Sequence, residues 1–129
     1  MSMTDLSLMQ PALAESNMLC KLYFDNVDPF IKLLHQSHFG KELDQFRRGT
    51  FDFSREYEAL LFCIYLLAVN SLRPEVVERI FVTPKPALVI RFQQAARIAL
   101  IRVHFFTTDK VLVLQALLHY LVSLSSVVT

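Results

Sequence analysis

The chain has 129 residues, 53% of them apolar and 19% charged, with a formal net charge of +1. That length fits one domain, and the near-neutral balance argues against a dominating phosphate-binding surface. With only two glycines, Gly40 and Gly49, it cannot build a phosphate-cradling loop or a dinucleotide fingerprint, which need several glycines at fixed spacing so that backbone amides reach the anion. Apolar content lies above the ~45–50% of ordinary domains and charge below their ~25%, a balance that asks for a partner surface. The pattern predicts an all-α fold, an irregular bundle of about five to seven helices.

In chain order, Met1 to Pro11 is polar with scattered leucines, and residues 1–12 are expected to form a mobile segment. A first helix runs from Leu13 to about Val27, with Asn17, Lys21, Asp25 and Asp28 on a polar face and Met18, Leu19, Leu22 and Tyr23 opposite. Pro29 restricts Asp28 to extended backbone, so a short apolar turn is expected from Pro29 to Leu34. Ser37 offers N-cap chemistry for the next helix, which ends near Arg48-Gly49, a basic last turn before a glycine.

The central helix is the plainest feature. Asp52 or Ser54 caps it, Glu56 and Glu58 complement its positive end, and eleven consecutive apolar residues follow from Ala59 to Val69. A run of that length falls short of the ~20 residues needed to span a bilayer and has no polar stripe, so it reads as a helix wrapped by others. Pro74 suits the first position of a short helix over Glu75 to Phe81. Thr83-Pro84-Lys85-Pro86 breaks the chain again. From Ala87 to Val103 the residues Leu88, Phe92, Ala95, Ala96, Ala99, Leu100 and Val103 recur at three and four, the clearest helical period present. A last helix, Val111 to Leu124, is apolar except for Gln115, His119 and Ser123, and its Leu114, Leu117, Leu118 and Leu121 form the candidate interaction surface. As a membrane segment, Val111 to Val128 is diluted by Gln115, His119, Ser123, Ser125 and Ser126 and lacks basic or aromatic flanks at both ends, and no membrane partner is expected.

Catalytic and metal chemistry find little support. His35 and His38 are three apart but have no third ligand nearby in sequence, and Cys20 and Cys63 lack CxxC spacing, so they read as buried thiols. Arg91, Arg97 and Arg102 lack the aromatic interleaving of a nucleic-acid stripe. Neither a cofactor, a metal ion nor a catalytic residue is nominated, and the chain is read as a non-enzyme.

Three ordered blocks carry a family resemblance. Leu22-Tyr23-Phe24-Asp25-Asn26-Val27-Asp28-Pro29-Phe30, with Leu34-His35 and Phe39 following, resembles the opening of the fungal-specific transcription factor domain, the all-helical middle homology region of fungal zinc-cluster regulators. The run from Ala59 through Leu72 into Pro74-Glu75 resembles that domain's first core helix. The stretch from Phe92 to Leu100, then Phe105-Phe106-Thr107-Thr108 and Val113 to Val122, is similar to the helix pair that comes next. The resemblance covers about Leu13 to Ser125, and residues 126–129 are left as a tail. It implies a regulatory or interaction fragment in the nucleus, bearing on a metabolic or secondary-metabolite gene cluster, with a full-length regulator or a second copy as partner.

The family's six-cysteine zinc cluster has no counterpart in this chain, so direct DNA binding does not carry over. The family domain also continues through further helices, which makes the chain an amino-terminal part of the module and leaves the central helix, or the final one, expected to be incompletely buried. Two other readings stay open: a truncated product without its own function, and a small membrane-associated helical protein. Neither the effector nor the target genes can be read from the residues.

Overall fold

The computed structural model describes residues 6–32, 34–49, 54–103, 115–116 and 118–120. Among these the chain forms a short 3-10 turn, Leu6–Met9, and six α-helices: α1 (Leu13–Asn26), α2 (Asp28–Ile31), α3 (Gln36–Arg48), α4 (Ser54–Asn70), α5 (Pro74–Phe81) and α6 (Lys85–Arg102). No strand occurs among the described residues, and the all-α expectation holds.

Helix α4 is the axis around which the others pack. Its principal neighbours are α6 and α1, while α5 and the Leu6–Met9 turn lean on α6 and α2 folds back on α1. The amino end of α4 is clamped by α3: Tyr57 stacks on Phe39 and tilts against Phe46, and its hydroxyl donates to the Phe39 carbonyl at 3.0 Å. Residues 59–69 are each 3% exposed or less. Of the two helices, one of which was expected to be incompletely buried, the central one is therefore enclosed over residues 59–69, packed chiefly against α6 and α1.

The carboxyl end of α4 shows how its last carbonyls are satisfied. Ser71 N–H donates to Leu67 and Ala68, Leu72 N–H donates to Val69, and the Ser71 hydroxyl reaches Ala68 O at 2.6 Å. The Lys85 ammonium, from the first residue of α6, then donates to Leu72 O at 2.6 Å and Asn70 O at 3.4 Å. A lysine is poorly placed at the positive end of its own helix. Here it is aimed instead at the negative end of another.

Several local expectations change. Near the amino end the Leu6 side chain is buried in the core, and the Arg91 guanidinium donates to Met9 O at 2.9 Å. Asp28 lies within α2 rather than in extended backbone, with Pro29 in the helix's first positions, and α2 stops at Lys32, whose φ of 48° is left-handed. His35, not Ser37, is the N-cap of α3; its carbonyl accepts from Phe39 N–H, and Ser37 Oγ meets His35 Nδ1 at 3.1 Å. Met18 is 41% exposed, so the apolar face of α1 is narrower and runs through Ser16, Leu19, Cys20 and Tyr23. Gly49 closes α3 at φ 74°, as the glycine there predicts. The cap of α4 at Asp52 falls outside the described residues.

Candidate interaction surface and buried polar clusters

Of the four leucines singled out on the last helix, Leu114, Leu117 and Leu121 lie outside the described residues. Leu118 is helical and 47% exposed, while Ala116 and His119 on either side of it are buried. That alternation gives the described part of the segment one face against the body and one toward solvent.

His119 fastens this segment to the start of the fold. Its Nδ1 lies 2.5 Å from Gln115 O, so this nitrogen carries the proton, and its Nε2 meets the Tyr23 hydroxyl. Tyr23 also reaches Asp28 Oδ1 at 3.2 Å, and the same carboxylate accepts from Leu34 N–H at 3.4 Å. Burial lowers the His119 pKa from 6.5, against the opposing pull of the Gln115 carbonyl and the Asp28 charge. Burial first, then Asp28, pushes the Tyr23 pKa well above 10. The hydrogen bond between this imidazole and the Tyr23 phenol ties the last described segment to α1.

A second polar cluster lies between α1, α3 and α4. Arg47 Nη2 donates to Ser16 Oγ at 3.0 Å, Ser16 Oγ and Tyr65 OH are 2.8 Å apart, and Tyr65 OH donates to Gln10 Oε1 at 3.0 Å. Gln10 Nε2 is inaccessible to solvent and has no partner. A buried donor left unmade costs about 1–3 kcal/mol. The four residues border a cavity of about 230 Å³. Sequence reasoning missed both clusters, because their members stand 31 to 96 residues apart in pairs such as Arg47–Ser16 and Tyr23–His119, with no motif spacing to join them.

The remaining chemistry-bearing residues are dispersed. His35 caps α3, and His38 lies 3.6 Å from Glu42 one turn on. No three His, Cys, Asp or Glu side chains among the described residues stand close enough to share a metal ion. Cys20 and Cys63 are both free and buried; burial raises the Cys20 pKa to about 11 and that of Cys63 further still, which leaves both as thiols. Arg91 stacks over Phe92 and Arg102 pairs with Glu58 at 3.7 Å, so these two do not form a free basic stripe with Arg97. No helix among the described residues is long and apolar enough to cross a membrane.

The described residues define an all-α module whose last described helical segment exposes Leu118. No protein-family model matches the chain, and neither does any solved structure. Curated relatives do match. The pyriculol/pyriculariol biosynthesis cluster transcription factor of Pyricularia oryzae is 35% identical over 116 residues, covering 90% of this chain and 16% of that protein. The aurofusarin cluster transcription factor of Gibberella zeae is 34% identical over 122 residues, 94% of this chain and 18% of the relative. A C6 finger domain transcription factor of Aspergillus fumigatus is 31% identical over 117 residues, 76% and 15% of the two lengths. The chain is thus homologous to a segment of fungal cluster-specific transcription factors and spans less than a fifth of the length of the relatives it matches.

Proposed function

We propose that the chain is a regulatory, protein-binding segment of a fungal zinc-cluster-type transcription factor, acting in the nucleus on the expression of a secondary-metabolite gene cluster and carrying no catalytic activity. The observation that supports it most is the breadth of the match: up to 94% of the chain aligns with regulators whose names place them in biosynthetic clusters. Contact with a full-length regulator or a second copy uses the last helix of the sequence pattern, in which Leu114, Leu117, Leu118 and Leu121 recur at the three- and four-residue spacing of one helix face. The solvent exposure of Leu118 beside buried Ala116 and His119 supports that assignment. Against catalysis stand the raised pKa values of both thiols and of Tyr23, and the depressed basicity of His119.

The test is expression of the fluorescently tagged chain in a fungal host together with a cluster regulator and a reporter driven by that regulator's promoter. Nuclear fluorescence and a reporter change of about twofold or more, abolished by Leu118→Lys, are expected. A cytosolic signal with an unchanged reporter would sink the proposal.

A further inference from the structure

The Leu6–Met9 turn, with Gln10 after it, lies on α4 and α6 as a strap. We infer that the seat beneath it accepts the same strap from a second copy of the chain, giving an arm-exchanged dimer. The seat is built from α4 and α6, so the inference stands apart from the regulatory reading and its last helix.

The strap has little stability of its own. It is a single 3-10 turn of four residues, too short to persist unaided. Its attachments come from the body: Leu6 is 1% exposed within the core, Arg91 on α6 donates to Met9 O at 2.9 Å, and Tyr65 on α4 donates to Gln10 Oε1 at 3.0 Å. The two hydrogen bonds join residues 82 and 55 apart in the chain. None of these contacts depends on which copy carries the strap.

The seat is shaped by the body's own packing. The Arg91 guanidinium lies over the Phe92 ring, 5.4 Å from its centroid, which steadies the group that reads the Met9 carbonyl. Tyr65 is 1% exposed, and its hydroxyl lies 2.8 Å from Ser16 Oγ as well as on Gln10. One buried leucine and two carbonyl acceptors are thus what the seat recognises. With the strap away, the Leu6 site is an apolar hollow and two donors lose an acceptor, so the seat favours being refilled.

Closure within one chain is imperfect at the joint. Gln10 Nε2 is closed to solvent and has no partner, a cost the strap bears while it is down. The cavity of about 230 Å³ borders Gln10, Pro11 and Leu13, where the strap meets α1. Pro11 and Ala12 make that joint, with Ala12 extended at φ −56° and ψ 155°. A loosely packed, extended joint serves as a hinge, and exchange of an identical element between copies is a low-cost route to a dimer.

The experiment shortens the hinge. Deleting Pro11 and Ala12 from the 129-residue chain removes about 7 Å of reach, so the strap no longer returns to its own seat but still enters that of a second copy. Sedimentation velocity is expected to show this variant dimeric at a concentration at least about tenfold below the roughly millimolar range in which wild type exchanges. Adding Leu6→Ala to the deletion, or an excess of a synthetic peptide of residues 1–10, should return it to monomer. Leu118→Lys should leave the dimer intact; a dimer lost with Leu118→Lys belongs to the last helix and overturns the exchange. A deletion variant that stays monomeric, or whose dimer survives Leu6→Ala or the peptide, overturns it too. Should the deletion variant lose its helical circular dichroism, wild type at about 1 mM decides. A dimer that the peptide dissociates supports the exchange, and a monomer, or a dimer indifferent to the peptide, overturns it.

Discussion

His119 joins chain ends that are far apart in sequence, and its protonation state decides whether that junction holds. Buried and neutral, it donates from Nδ1 to Gln115 O and meets Tyr23 through Nε2. Its folded pKa is depressed from 6.5 by burial. A depressed histidine pKa means the unfolded chain takes up its proton first as pH falls. Stability is therefore complete above about pH 6.5 and is lost below it, at up to about 1.4 kcal/mol per pH unit. Glu42, whose pKa is raised by burial, works in the opposite direction at lower pH. Urea denaturation of wild type and His119→Gln at pH 7.5, 6.5 and 5.5 separates the two, because only the histidine's share disappears in the variant. A steeper loss below pH 6.5 in wild type is expected; identical slopes would contradict the assignment.

Helices with a strong apolar period were legible, and their junctions were not. The recurrence at three and four on α6 identified every one of its core residues, from Leu88 to Val103, because burial there follows helix geometry alone. Gly49 announced the end of α3 for the same local reason. The cap of α3 was misplaced by two residues, since Ser37 has the better side chain but the chain turns at His35. The stop of α5 at Phe81 was legible from the Thr83-Pro84-Lys85-Pro86 break, but its geometry was not: Val82 adopts φ 55°, a left-handed conformation that a β-branched residue rarely takes. Val82 is 86% exposed, so no packing recompenses that conformation. Val82→Gly is expected to stabilise the chain by roughly 0.5–1 kcal/mol, the relief of a left-handed L-residue of about 1–2 kcal/mol less the entropy of a freer unfolded chain. Thermal melting of the two proteins checks it, and a lowered midpoint would mean that the turn is not strained.

At the scale of the whole molecule, sequence and structure meet on one point. The apolar run predicted a helix that needs cover on every side, while the resemblance to a longer domain implied that this helix or the final one is left partly open; residues 59–69 are enclosed by the chain itself. The apolar surplus is absorbed by α4 needing cover on every side, which sequence shows only as a run of apolar residues and not as a count of neighbouring helices. What remains open is scattered, with Phe30 and Val82 standing out singly, and Leu118 the exposed apolar residue on the described part of the last helix. The family assignment rested on ordered blocks of residues, and the relatives bear it out over most of the chain. The interaction site rested on periodicity alone, of which only Leu118 falls among the described residues.

The most direct measurement is sedimentation velocity of the purified chain, alone and mixed with a labelled full-length cluster regulator, for wild type and Leu118→Lys. The account predicts a complex, with the regulator or as a dimer, whose Kd weakens about tenfold or more in the variant while the melting temperature stays within a few degrees. A wild-type chain that sediments as a lone monomer in both experiments, or a complex that Leu118→Lys leaves unchanged, would contradict it.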